Sequence, residues 1–596
     1  MPKTEHLFEK KPEYPENLEI FDIDTDHLKR FLNKLDQNDR KRLIEDADRA
    51  CNGIIKGFSY IDLDYGYPIN WQLNPLTHKV CDEREKWYKI PDFDKARGDI
   101  KIIWEVSRFS HFILFARAYL LTGDRKYYKA FSEQLKDWLR KNPYSYGANY
   151  KCGQECSLRM VNTLLAFTIF KNCKVIEKVD ENNVKQLVLR CYRKVLSNFF
   201  YAYKCIRNNH TISELMGMLI GSWCCGDEKQ INLAKRLLNR VIAQQFTDDG
   251  GYIQYSFNYE RLALQDVAVV LAVERKIGKV LEEVTREKIL NAAKLMYQCQ
   301  DEHGFMPNYG SNDGALVFPL TSCVYGDFRP IVNTIYTLLK KDKLYPIGKW
   351  DEELIWFGIK GESDFKYKYL RKVSSSFEQA GLYTLRQCDS WLMVVLNKYQ
   401  WRPGHMDQMH IDLWVQGINV LCDGGTYSYA NSLGEQLSLN QNHNTVSYSD
   451  KLQMGIKSPF FIYAWTKRER VKYNSRIFCG NMKSQNGYRH KREVRATGMG
   501  YQITDWIMGV NGEKYEVRFH TPCEIQRQGN KIKLIDNGKT VCSICFHNPF
   551  KICDSLRSLY YLQTEKINCI IVVGKIQNGE GLIKTEISIK EKDEDD

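Results

Sequence analysis

A change of hydrophobic period near Ser374-Ser375-Ser376 constrains this chain more than any other feature. Before it, from residue 18 to about 357, apolar residues recur at helical spacing over 26–51, 99–121, 126–140, 155–170, 184–203, 212–224, 230–246, 259–277 and 282–298. The connections are short and punctuated, as at Thr122-Gly123-Asp124 and Asp248-Asp249-Gly250-Gly251. Many helices of similar length joined by short turns imply antiparallel hairpins that close into a ring or stack as a solenoid. No repeat in residue identity accompanies them. After the change come alternating or β-branched runs at 381–386, 391–396, 410–415, 444–448, 489–495, 515–519, 531–535, 567–573 and 583–589, split by turns such as Asp536-Asn537-Gly538. They predict a second, all-β domain, a sandwich of antiparallel sheets. The acidic tail, 591–596, is expected to be disordered.

A chain of 596 residues is too long for one core. Apolar content of 43% and charged content of 27% are those of a soluble globular protein. The net charge of +13 is dispersed apart from short clusters such as Lys467-Arg468-Glu469-Arg470. It suits a polyanionic partner: nucleic acid, a membrane surface or an acidic polysaccharide. No nucleic-acid-binding signature is present, and no apolar run approaches a membrane span. The 36 Tyr and 12 Trp fit either core packing or stacking against sugar rings. The start, Met1-Pro2-Lys3-Thr4-Glu5-His6, lacks a basic-then-apolar export pattern, so the expected location is cytoplasmic, with the periplasm as the alternative. The 19 cysteines then read as reduced, buried thiols, and the lone Cys542-Ser543-Ile544-Cys545 as core.

Four clusters carry polar chemistry. Arg207-Asn208-Asn209-His210 opens an apolar helical run where packing gives no reason for an amide pair and a histidine. His210 and Glu214 share a helix face, so the carboxylate can orient the ring. A helix cap accounts for the same residues. In the second cluster, Asp248 to Arg261, Tyr255 and Tyr259 sit one turn apart if the following helix starts early, and a tyrosine there can give or take a proton. The third is the polar loop Pro307-Asn308-Tyr309-Gly310-Ser311-Asn312-Asp313-Gly314. The fourth joins Trp401-Arg402-Pro403-Gly404-His405-Met406-Asp407-Gln408-Met409-His410 to Cys422-Asp423-Gly424-Gly425-Thr426-Tyr427 and Gln441-Asn442-His443-Asn444-Thr445. His405, Asp423 and His443 form a nitrogen and oxygen ligand set that suits zinc rather than calcium. Three polar residues at strand ends would look the same.

Taken in order, these clusters resemble the heparinase II/III-like polysaccharide lyases. The resemblance rests on Asn208-Asn209-His210 with Glu214, on Asp249-Gly250-Gly251 with Ser256 and Tyr259, and on His405-Met406-Asp407-Gln408 followed by Asp423-Gly424-Gly425-Thr426-Tyr427 and His443-Asn444-Thr445. Gly98-Asp99-Ile100-Lys101 with Trp104, Glu105 and Arg108, and Asn149-Tyr150 with Cys152, Gly153 and Glu155, resemble the same family's helical domain. The likeness runs from about Gly98 to Arg495. It implies an incomplete (α/α) toroid followed by an antiparallel β-sandwich domain, with substrate in the cleft between them. The expected limits are 1–95 for an N-terminal helical extension, 96–373 for the toroid and 374–590 for the β domain.

The resemblance also implies a reaction. Such an enzyme removes the C5 proton of a uronate and expels the sugar at O4, with no organic cofactor. The neighbouring carboxylate must be neutralised, a base must take the proton, and an acid must reach the leaving oxygen. The family pattern places Asn209 in the neutralising role, His210 as a neutraliser or base, and Tyr259 as base, acid or both. Asn208, Glu214, Tyr255, Arg402 and His410 become candidate substrate contacts. A metal at His405, Asp423 and His443 would brace the β domain. The sequence departs from the family's His-x-His-x-Asp stretch, because Pro403 stands where relatives carry the first histidine. Either His405 serves the catalytic role, or Arg402 or His410 has taken it, or it is lost. Two alternatives stay open. A glycoside hydrolase would use two carboxylates among Glu214, Asp248, Asp249 and Asp313. A degenerate glycan-binding or assembly protein would keep the fold alone.

Overall fold

A computed structural model of the chain describes residues 12–360, 365–387, 389–458 and 460–589. The polar start, Met1 to His6, and the acidic tail at 591–596 lie outside the described residues. The chain gathers into two units. One takes the residues up to Gln245 with Arg261–Leu290 and Gly314–Tyr369; the other takes Phe246–Glu260, Asn291–Asp313 and the chain from Leu370 onward.

The first unit is an incomplete (α/α) toroid. Its helices alternate in character along the chain. Ser110–Thr122, Gly153–Asn172 and Asn209–Cys224 are buried over most of their length and pack on one another. Lys126–Lys141 and Lys178–Tyr201 bury one stripe each and turn charged residues outward. A helix that is apolar all round belongs inside, and an amphipathic one belongs outside. Strict alternation of the two therefore gives an inner and an outer layer of hairpins. Gly217 and Gly221 let the inner helix Asn209–Cys224 approach its neighbours closely: a Cβ on Gly217 would collide with Ser157, and one on Gly221 with the ring of Tyr192.

Two predicted helices are broken. Residues 26–51 form Thr25–Lys34 and Gln37–Cys51, because Asp36 leaves the helix and its carboxylate caps the second segment at Asp39 N, 2.8 Å away. Residues 99–121 form Lys101–Ser107 and Ser110–Thr122, separated by Phe109 at φ +58°. No helix among the described residues is long and apolar enough to cross a membrane.

The second unit is built from antiparallel sheets. Five strands, from Ser376–Phe377 to Ile418–Leu421, form one sheet. Four more, Val446–Tyr448, Lys514–Thr521, Glu565–Lys575 and Phe550–Arg557, form a second. Eight strands in the order Lys467–Asn474, Ile477–Lys483, Arg489–Ala496, Gly500–Met508, Glu580–Ile589, Lys539–Phe546, Lys531–Asp536 and Glu524–Gln528 form the third. The sheets share one apolar core, into which alternate residues point: Phe478, Met482, Val494, Ile503, Ile507, Ile583 and Ile587 come from the largest sheet. The basic cluster Lys467 to Arg470 begins one of its strands. Cys542 is in the core, while Cys545, three residues along the same strand, points to the opposite face, so the pair cannot share a metal.

Replacing Gly221 by Val should lower stability by about 1–3 kcal/mol through overpacking against Tyr192. A thermal melt unchanged from wild type would show that the inner helix does not need this close approach.

Candidate functional site

In the first unit the polar cluster sits at a helix start shaped by its own backbone. The helix Lys178–Tyr201 ends in a π-helical turn, Ala202–Ile206, and Arg207 reverses the chain at φ +54°. Asn208 is the N-cap: its side-chain oxygen accepts from His210 N at 3.0 Å. The cap reading thus accounts for Asn208, a candidate substrate contact, and leaves Asn209 and His210 as the first helical residues. Asn209 is buried and His210 half-buried.

Glu214 does not orient His210 as its spacing predicts. It accepts from Asn198 Nδ2 at 2.7 Å and lies against Gly153, while His210 Nδ1 is 3.5 Å from Cys152 Sγ. Burial pushes the Glu214 carboxyl up to about 8. Asp266, hydrogen-bonded to Ser213, is likewise held well above the usual range by burial. Burial thus pushes both carboxyls toward the neutral form near the start of the helix that carries Asn209. Glu155, by contrast, is ionised. Burial opposes this, but Arg108 grips both of its oxygens at 2.8 Å, and Arg108 also pairs with Glu105. Glu105, Arg108, Cys152, Gly153 and Glu155, far apart in the sequence, are thereby brought together around the start of the helix Gly153–Asn172.

The second unit carries the tyrosine cluster. The helix starts at Phe257, so Tyr255 lies ahead of it at φ +51° rather than one helical turn from Tyr259. The Tyr255 hydroxyl accepts from the backbone of Gln400 at 2.8 Å and Trp401 at 3.3 Å. It braces that loop, and its place as a substrate contact is not carried forward. Gly310, at φ +71°, packs so tightly on the Tyr255 carbonyl that a Cβ would not fit, which locks the loop 307–313 beside the helix start.

That loop delivers Asp313. Tyr259 Oη donates to Asp313 Oδ2 at 3.0 Å, and Asn258 Nδ2 donates to Oδ1 at 3.0 Å. On its other side Tyr259 Oη is 2.8 Å from Tyr429 Oη. Burial, then Asp313, then Tyr429 hold the Tyr259 phenol well above its ordinary value, so it is protonated at neutral pH. No local signal marks this partnership, since Asp313 is 54 residues and Tyr429 170 residues away. Asp249, one of the carboxylates available to a hydrolase, accepts from Thr247 Oγ1 and from the backbone of Gln379 and Ala380.

His405, Asp423 and His443 come together in the same unit, each buried, with one ligand atom apiece within 4.8 Å of the others. Asp423 Oδ2 meets His443 Nδ1 at 2.8 Å, and Oδ1 accepts from Gly425 N at 2.7 Å. Among the described residues His405 Nδ1 and His443 Nε2 have no hydrogen-bond partner. Burial lowers His405 to about 4, leaving a neutral imidazole, the form that binds metal. Buried donors without partners and a carboxylate beside them fit a metal ion. His410 is also buried: its Nδ1 accepts from Asn444 N at 2.9 Å, and its Nε2 lies 3.8 Å from Asp423 Oδ2, beside the same group. Pro403 is buried and Arg402 exposed.

Comparisons with known proteins bear on the family and the fold. The heparinase II/III N-terminus family matches residues 27–310, and the heparinase II/III-like C-terminal family matches residues 370–586. A heparin-sulfate lyase of Bacteroides stercoris is 21% identical over 519 residues, covering 81% of this chain and 70% of that protein. One from Pedobacter heparinus is 32% identical over 391 residues, covering 63% of this chain and 52%, about half, of that protein. A crystal structure of heparinase III shares the fold, with a TM-score of 0.67 at 14% identity over 98% of this chain and 88% of that one. With both halves matched in order, and with the toroid and sheets in place, the chain belongs to the heparinase II/III family of polysaccharide lyases.

Proposed function

We propose that this protein is a glycosaminoglycan lyase that cleaves a uronate-containing acidic glycan by β-elimination. The observation that carries the reading is the Tyr259 hydroxyl, held as a neutral phenol between Asp313 and Tyr429. A phenol that keeps its proton can hand it to the leaving O4 oxygen. Asp313, already the acceptor of that proton, offers a route by which Tyr259 can also act as base. The amide of Asn209 serves to neutralise the uronate carboxylate, aided by the half-buried ring of His210. Burial pushes Glu214 and Asp266 toward the neutral form, and the ionised Glu155 is paired with Arg108, which lessens the repulsion a bound carboxylate would meet there. The net charge of +13, with exposed residues such as Arg402, favours capture of a polyanion.

His405, Asp423 and His443 would hold a zinc ion, which would supply cross-linking of three loops rather than any proton transfer. In this reading His405 belongs to the metal set, and no group replaces the histidine that Pro403 displaces.

Tyr259→Phe should lower turnover by about 10²–10⁴-fold, measured by the ultraviolet absorbance of the conjugated C4–C5 double bond on heparan sulfate, hyaluronan, chondroitin and alginate. Wild-type activity in the variant would remove Tyr259 from the mechanism. Zinc added to chelator-treated protein should raise the melting temperature, and His443→Ala should abolish that response; equal responses in both would place any metal elsewhere. Glu214 protonation stabilises the fold fully below its ordinary value of 4.5, and that contribution is lost as pH rises toward about 8. Glu214→Gln should therefore match wild-type stability at pH 4.5 and exceed it at pH 8; parallel melting curves across that window would show that Glu214 is ionised.

A further inference from the structure

The hairpin of Gly455–Ser458 and Phe461–Tyr463, in the second unit, has no part in the chemistry above. Its inner face is anchored: Ile462 packs with Met406, the neighbour of His405, and with Met454. Its outer face is unusual. Phe461 and Tyr463, each 50% exposed, lie two residues apart on one strand and so on one face, with ring centroids 6.1 Å apart and planes tilted by 31°. Opposite Tyr463 the partner strand carries Gly455, where any Cβ would collide with the Tyr463 ring. The glycine lets that ring lie across the partner backbone, which fixes its orientation without covering it. Single exposed aromatics are ordinary, whereas a paired and propped set is a surface built to be covered.

Two observations indicate what covers it. Phe460, at the turn, packs on Tyr429 with centroids 4.9 Å apart, and Tyr429 is hydrogen-bonded to Tyr259. The hairpin is thus continuous with the proton-transfer tyrosine. Lys457, exposed on the first strand, adds positive charge beside the rings. The flat C–H face of a pyranose stacks on an aromatic ring as an apolar surface, while its carboxylate or sulfate takes a cation. We infer that this hairpin is a stacking platform for the pyranose rings of the acidic glycan, holding sugars adjacent to the cleaved unit. The inference rests on the lyase reading for the identity of that glycan.

The test is the double variant Phe461→Leu/Tyr463→Leu, which keeps apolar bulk and removes the rings. Two readouts are taken with wild type alongside: ultraviolet kinetics on heparan sulfate and hyaluronan, and retardation in native gels containing the same polymers. The platform predicts that KM rises about tenfold with a far smaller loss in kcat, that gel retardation falls, and that the melting temperature holds. Unchanged KM and unchanged retardation would overturn the platform and leave the lyase reading standing. If wild type produced no absorbance on any polyuronide, the lyase reading would fail. Gel retardation would then decide alone: lost in the double variant, it supports the platform; unchanged or absent in wild type, it overturns it. A shift from dimer to monomer with polymer binding intact would also overturn it, by making the hairpin an interface between copies.

Discussion

Taking a carboxyl or a phenol out of water forces a choice between pairing and protonation, and the candidate chemistry of both units depends on which is made where. In the toroid, Glu155 is paired by the two-pronged grip of Arg108, while Glu214, bonded to Asn198, and Asp266, bonded to Ser213, are pushed toward the neutral form by burial. The charged pair fixes one helix start and the neutral pair lies beneath another, the one that carries Asn209 and His210. In the β unit, burial keeps the proton on Tyr259, while Asp423 is held ionised by the histidines around it despite its burial. A lyase needs this division. In the proposed chemistry a neutral phenol would donate the proton, neutral carboxyls near Asn209 would repel the substrate carboxylate least, and a charged Asp423 would suit a metal.

How far the sequence could be read follows from the range of each interaction. Apolar periodicity is a local signal, and it located the inner and outer helices of the toroid because each layer has its own pattern. It failed at Asp36 and Phe109, where one residue leaves the helix without breaking the apolar rhythm. It also failed on the strands Lys467–Asn474, which is charged at most positions, and Gly500–Met508, where a buried position holds the charged Asp505 and the outer face carries Trp506 and Met508. Among site residues, the meeting of His405, Asp423 and His443 was legible because each stands in a polar, glycine- or asparagine-rich stretch between strands, and the structure brings the three together as a group that could hold a metal. At Asn208 the cap, which the sequence already offered, is the role the hydrogen bonds show. Tyr255 and His410 each have a backbone partner that their sequence neighbourhood did not signal, because those partners lie in distant loops. Asp313 and Tyr429 were missed as partners of Tyr259 because only the fold brings residues so distant in the chain to one hydroxyl.

The same logic separates the roles within the β unit. Residues that touch backbone (Tyr255, His410, Asp249) hold loops in place. Residues that touch one another through side chains alone (Tyr259, Asp313, Tyr429) form a chain along which a proton can be held. Phe460 joins the exposed hairpin to that chain, so the surface that would grip the polymer and the hydroxyl that would cleave it belong to one packed assembly. On the proposed lyase reading, the departure at Pro403 would leave proton transfer to Tyr259 and its two partners, with His405 in the candidate metal set.

The central claim is elimination rather than hydrolysis, and the most direct measurement is the mass balance of cleavage. A heparan sulfate oligosaccharide of defined length is incubated with the protein, and the fragments are weighed by mass spectrometry. Elimination breaks the bond to O4 without adding water, so the account predicts fragment masses that sum to the mass of the starting chain, with every new non-reducing end unsaturated. Fragments whose masses exceed that sum by one water per cut would show hydrolysis and contradict the account.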